Sequence, residues 1–145
     1  MTRDDDGLEA IGREECIELL RHAHIGRVAT SIGALPVVLP VAYVIDGDAI
    51  VFAAGEHTQL AAGARNNVVA FEVDHVCDDH GWSVLATGHA HVVADPERVH
   101  RLRLAGPKPW VANTPAFFLE IVPELLTGRR MSVVRDALST AVGPA

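Results

Sequence analysis

The stretch that most restricts the fold is Val68 to Val93, where two apolar runs, VVAFEVD and WSVLATGHAHVV, flank an acidic segment ending in Gly81-Trp82-Ser83. Val, Phe and Trp suit a pleated surface, and Asp74 to Gly81 supplies turn chemistry between the runs. Both runs read as strands. The loop joining them is the expected neighbourhood of function.

At 145 residues the chain amounts to about one domain, and 49% hydrophobic with 21% charged residues is a globular composition. No apolar run approaches the ~20 residues of a membrane span, and Met1-Thr2-Arg3-Asp4-Asp5-Asp6 is not the start of a secretory leader. A cytoplasmic protein with no membrane partner is expected. Cys16 and Cys77 are too few for a disulfide framework, so free thiols are expected. A net charge of -7 argues against a nucleic-acid partner, since that affinity comes mainly from Lys and Arg on phosphates.

Residues 1–11 are acidic and aperiodic and are expected to be a flexible tail, with residues 132–145 as a second tail and one domain over 12–131. Arg13 to Ala23 is predicted helical, because Cys16, Ile17, Leu20 and Ala23 fall on one stripe. Three β-like runs follow at Ile25–Ser31, Leu35–Ile45 and Ala49–Ala54, with Asp46-Gly47 as a hairpin signal. Pro36 and Pro40 cannot donate to a ladder, so the second run is predicted to be an edge, bulged or broken strand. Thr58 caps a short predicted helix to Ala64, Asp95-Pro96 opens another to about Leu104, and Phe117–Val122 is a last strand. Six strands in hairpin order predict a mainly β fold, a six-stranded antiparallel barrel with short peripheral helices.

Several phrases, taken in order, resemble the FMN-binding split barrels related to pyridoxamine 5'-phosphate oxidase. They are His24-Ile25-Gly26-Arg27-Val28-Ala29, Val38-Leu39-Pro40-Val41-Ala42-Tyr43 and Asp46-Gly47-Asp48-Ala49-Ile50-Val51-Phe52. Val69-Ala70-Phe71-Glu72-Val73-Asp74, Gly81-Trp82-Ser83-Val84 with Gly88, and Thr127-Gly128-Arg129-Arg130 complete the set. The resemblance implies a homodimer with FMN at its interface and oxidoreductase chemistry on a small organic substrate. It places Trp82 and Ser83 beside the flavin and offers the backbone of Pro40, Val41 and Ala42 to its ring.

Members of that group hold the flavin phosphate with an Arg-Thr pair followed by Gly-Thr-Lys. Here Ala53 and Ala54 stand at the first pair, then Gly55-Glu56-His57, then Thr58 and Gln59, and Pro115 stands where an arginine is expected after Trp110. Each missing charge-assisted bond removes roughly 1.5–3 kcal/mol of binding. Thr58, Gln59 and Arg65 are the remaining candidates for the phosphate. Two alternatives follow: a non-enzymatic ligand-binding or interaction dimer with a degenerate phosphate site, or a deazaflavin-dependent reductase.

Other polar groups carry less. Asp74, His75, Cys77, Asp78, Asp79 and His80 lack the spacing of a closed zinc site, and no metal is expected. His89 and His91 should face one side of a strand. Arg27, inside an apolar strand, needs a carboxylate, and an intersubunit ion pair is expected. Arg129 and Arg130 are read as solvated or as reaching a phosphate on a neighbouring chain.

Overall fold

Tight turns set the first pairings in the computed structural model, which describes residues 8–108 and 116–132. Strands β2 (Ile25–Ile32) and β3 (Leu35–Asp46) meet through Gly33 and Ala34, both at positive φ (54° and 67°), the geometry of a primed hairpin turn. Strand β3 returns into β4 (Ala49–Gly55) through Gly47 at φ 62°. Strands β5 (Val68–Val76) and β6 (His80–Val92) pair along their length, from Val68 opposite His89 to Val76 opposite Gly81. Strand β7 (Ala116–Ile121) then bonds to β4 on one side and to the end of β6 on the other. The ring β6-β5-β2-β3-β4-β7 is closed and antiparallel, the six-stranded barrel expected from sequence.

Two strands lie outside that ring. β8 (Leu125–Ser132) runs along β6, and β1 (Glu9–Ile11) runs along β8. The tail expected over residues 1–11 is therefore shortened, because Ile11 opposite Gly128 and Glu9 opposite Arg130 draw three residues into the sheet. Strand β6 changes partner near Gly88: Thr87 is opposite Leu125 of β8, whereas Ala90 is opposite Ile121 of β7. A Cβ at Gly88 would sit 2.9 Å from the Val122 carbonyl oxygen, so the crossing chain admits only glycine without a shift.

Strand β3 is continuous, so the bulge or break considered for it is not present. Its Leu35–Ala42 half pairs with β2 alone among the described residues, while Tyr43–Asp46 pairs with β4. Pro36 and Pro40 fall in the one-sided half, where a missing N–H can face the open edge.

Side chains from all six ring strands fill the barrel, including Val28, Tyr43, Phe52, Phe71, Val84 and Leu119. Strand β4 is buried on both faces. Ile50, Phe52 and Ala54 point into the barrel, and Ala49, Val51 and Ala53 lie beneath Val99 and Leu102 of helix α3 (Pro96–Ala105). Helix α1 (Arg13–His22) buries Cys16 and Leu20, and the buried Tyr43 hydroxyl donates to the Leu20 carbonyl at 2.6 Å. Helix α2 (Gln59–Ala64) is capped by Thr58, and α3 by Asp95, as their sequences predict. No helix among the described residues is long and apolar enough to cross a membrane.

Candidate functional site

Alternation along strands decides which expected site residues can meet. Trp82 lies on the face of β6 that carries the buried Val84 and packs partly against the barrel core, with its ring 6.4 Å from that of His75. Ser83 is its immediate neighbour and so points to the opposite, outer face. The two were expected side by side at a ligand. The pleat separates them.

On β3, Val41 is buried in the core, while Pro40 and Ala42 face outward with Arg27, Glu72 and Ser83. Register links these strands: Pro40 is opposite Arg27 and Arg27 opposite Glu72, while Asp74 is opposite Ser83 and Ser83 opposite Arg129. A continuous outer face thus spans β3, β2, β5, β6 and β8.

The phosphate candidates lie elsewhere. Ala53 and Ala54 are buried on opposite sides of β4, paired with Phe118 and Phe117, so their side chains pack in the two apolar clusters. The Thr58 hydroxyl is already engaged, donating to the Gly55 carbonyl at 2.7 Å and accepting from the Ala61 N–H at 3.1 Å. Gln59 is exposed, and the Arg65 guanidinium lies 4.9 Å over the Phe117 ring. In the ladder, β5, β2 and β3 stand between Ser83 on β6 and this group on β4. One chain does not bring the two halves of the expected site together. Trp110 and Pro115, used in the sequence comparison, lie outside the described residues, as do residues 133–145 of the expected C-terminal tail.

Arg27 does not wait for a second chain. Its Nη1 lies 3.4 Å from Glu72 Oε2 and 3.5 Å from Asp74 Oδ2, which corrects the intersubunit pair expected for it. The reason is cross-strand register, which puts Glu72 directly opposite Arg27 on the outer face. Burial pushes the Glu72 carboxyl above its ordinary 4.5, the adjacent Asp74 adds to this, and Arg27 opposes it. Glu72 Oε1 is sealed from solvent and has no hydrogen-bond partner.

Sequence reasoning passed over Glu72, although it is the one charge inside an otherwise apolar VVAFEV run and so must turn outward. Arg130 is ion-paired with Glu15 of α1, which ties it to the helix. His89 and His91 do share a face, their rings 5.9 Å apart and 9° from parallel, and His89 Nδ1 lies 2.8 Å from Glu124 Oε1. In the β5–β6 loop, His75 Nε2 and Cys77 Sγ lie 3.0 Å apart.

The family model described as pyridoxamine 5'-phosphate oxidase matches residues 12–130, the whole barrel and most of β8. The chain belongs to the pyridoxamine 5'-phosphate oxidase family. Among relatives of this oxidase-family chain, an uncharacterised protein of Mycobacterium tuberculosis is 33% identical over 129 residues, covering 83% of this chain and 84% of that protein. The solved FAD-binding protein of Mycobacterium smegmatis superposes with a TM-score of 0.78 at 29% identity, over 87% of this chain and 100% of that one. A candidate pyridoxamine 5'-phosphate oxidase of Corynebacterium glutamicum does so at 0.75 and 26%, over 87% and 99%.

Proposed function

We propose that this chain is a flavin-binding oxidoreductase of the oxidase family that acts on a small organic substrate, with the flavin seated between two copies of the chain. The observation that carries this reading is the outer face of β3, β2, β5, β6 and β8. It presents Ser83 and the backbone of Pro40 and Ala42 together with exposed Ile25, Val38, Val68, Leu85 and Leu125. Exposed aliphatic side chains on one face of a sheet mark an interaction surface. A second copy laid there buries them and can bring its own Thr58, Gln59 and Arg65 toward the Ser83 of the first chain. The M. smegmatis neighbour's description as FAD-binding supports a flavin.

The residues fit a flavin ring better than its phosphate. The outer face offers a hydroxyl at Ser83 and open main-chain groups on the β3 edge, whereas Thr58 is already engaged and Gln59 is neutral. When bound, the flavin supplies the electron transfer, and the protein orients it and admits the substrate. FMN is the form we assign, and FAD is its rival.

The test is the spectrum of protein purified without added cofactor, followed by identification of whatever heating releases. A yellow protein yielding FMN, with occupancy lowered by Ser83→Ala and raised by Gln59→Lys, supports the assignment. Released FAD corrects only the form of flavin. A colourless protein that ignores FMN, FAD and a deazaflavin favours a non-enzymatic ligand-binding dimer, the second reading, to which the buried Ala53 and Ala54 and the engaged Thr58 point.

A further inference from the structure

Glu72, Ser83, Leu85, Thr127 and Arg129 line a cavity of about 270 Å³ on the outer face. Register explains the gathering. Leu85 is opposite both Glu72 and Thr127, Ser83 is opposite Arg129, and alternation sends all five side chains outward. With strands about 4.8 Å apart, the main chains of Glu72 and Thr127 stand about 10 Å from each other, and Leu85 occupies the space between. The result is an apolar floor between polar walls. Its volume falls just below the roughly 300–1,000 Å³ of pockets for drug-sized ligands, so its occupant is small.

Charge narrows the choice. An ionised Glu72 would leave Oε1 a buried and unpartnered carboxylate oxygen, which is costly, and the neutral acid avoids this. Arg27, on the other side of Glu72, is shared with Asp74 and balances that pair. The opposite wall brings the Arg129 charge and the Thr127 hydroxyl, and Ser83 adds a second hydroxyl. Donors and one positive charge thus face a wall held neutral.

We propose that this cavity binds a small carboxylate with an apolar body, its charge on Arg129, Ser83 and Thr127 and its body on Leu85. This deepens the flavin reading by naming a substrate class, and rests on that reading for the word substrate alone.

The full-length protein as purified is titrated with benzoate and with neutral benzamide by calorimetry, and the flavin content of the same sample is read from its absorbance. Benzoate is expected to bind at least tenfold more tightly, and Arg129→Gln to weaken benzoate roughly 10- to 100-fold while leaving benzamide unchanged. A second signature separates recognition from mere folding. The charged groups around Glu72 are Asp74 on β5, Arg27 on β2 and Arg129 on β8. As pH rises and Glu72 ionises, benzoate affinity falls, over a range where benzoate itself stays ionised. In Glu72→Gln that slope is absent.

Equal affinity for the two probes, an Arg129→Gln protein that keeps the preference, or a pH slope unchanged in Glu72→Gln overturns the proposal. Bound flavin without a benzoate preference sinks the cavity and spares the flavin reading. A benzoate preference in flavin-free protein does the reverse.

Discussion

Tyr43 shows what one buried hydroxyl contributes. It donates to the carbonyl of Leu20 in the last turn of α1, a group with no partner further along its own helix. Tyr43→Phe keeps the ring contact with Phe71 but strands that carbonyl, and is expected to cost about 1–3 kcal/mol in denaturant unfolding. Glu72 works in the opposite sense. Its folded-state pKa is raised above the ordinary 4.5, so its favourable contribution is complete below that value and is lost as pH rises through the folded pKa. Glu72→Gln should therefore melt higher than the parent at neutral pH, with the gap closing toward pH 4.5. A gap independent of pH would contradict the assignment.

At the scale of elements, helix α3 is pinned by Arg98, whose guanidinium lies 2.8 Å from Asp46 at the end of β3 and 2.5 Å from Glu120 on β7. Arg98→Met leaves two part-buried carboxylates facing each other, and α3 is expected to lose amide-exchange protection before the barrel does. Asp46, hydrogen-bonded by Arg98, has its carboxyl below the ordinary 3.8. Its contribution is present above that value and disappears as pH falls through the lowered pKa, so the parent loses in acid a stability that Asp46→Asn never has. The β2–β3 turn holds Ala34 at φ 67°, a conformation that disfavours a Cβ, and Ala34→Gly is expected to add up to about 1 kcal/mol. A Cβ on Gly128 would lie 2.5 Å from Cys16 Sγ, and Gly128→Ala should destabilise by roughly 1–3 kcal/mol.

Elements whose cause is local could be read from the chain. Thr58, Asp95-Pro96, the Asp46-Gly47 turn and the Cys16–Leu20 stripe each act within a few residues of themselves. Strands β1 and β8 could not be read so, because Glu9–Ile11 and LLTGRRMS become strands through the ladder they share and the outer edge of β6. The site divided along similar lines. Pro40 and Ser83 were picked out and do face one side, but Glu72 and Thr127 join them only through cross-strand register.

For the whole molecule, self-association is expected to proceed face to face. Pro36 and Pro40 thin out the donors along the one-sided half of β3, so adding a strand there is poorly rewarded, while Val38 beside them is 61% exposed. Val38→Glu should weaken dimerisation by roughly tenfold or more in sedimentation, and lower flavin occupancy with it. A monomeric parent protein that holds flavin would count against the two-copy site.

The change of partner along β6 also bears on how the chain comes off the ribosome. Everything needed to close the ring has been synthesised once Ile121 is made, and Leu125–Ser132 arrives afterwards to meet an edge already in place. A chain halted at Glu124 should be able to complete its cylinder while still tethered, leaving Cys16 without the backbone of Gly128 over it until translation finishes.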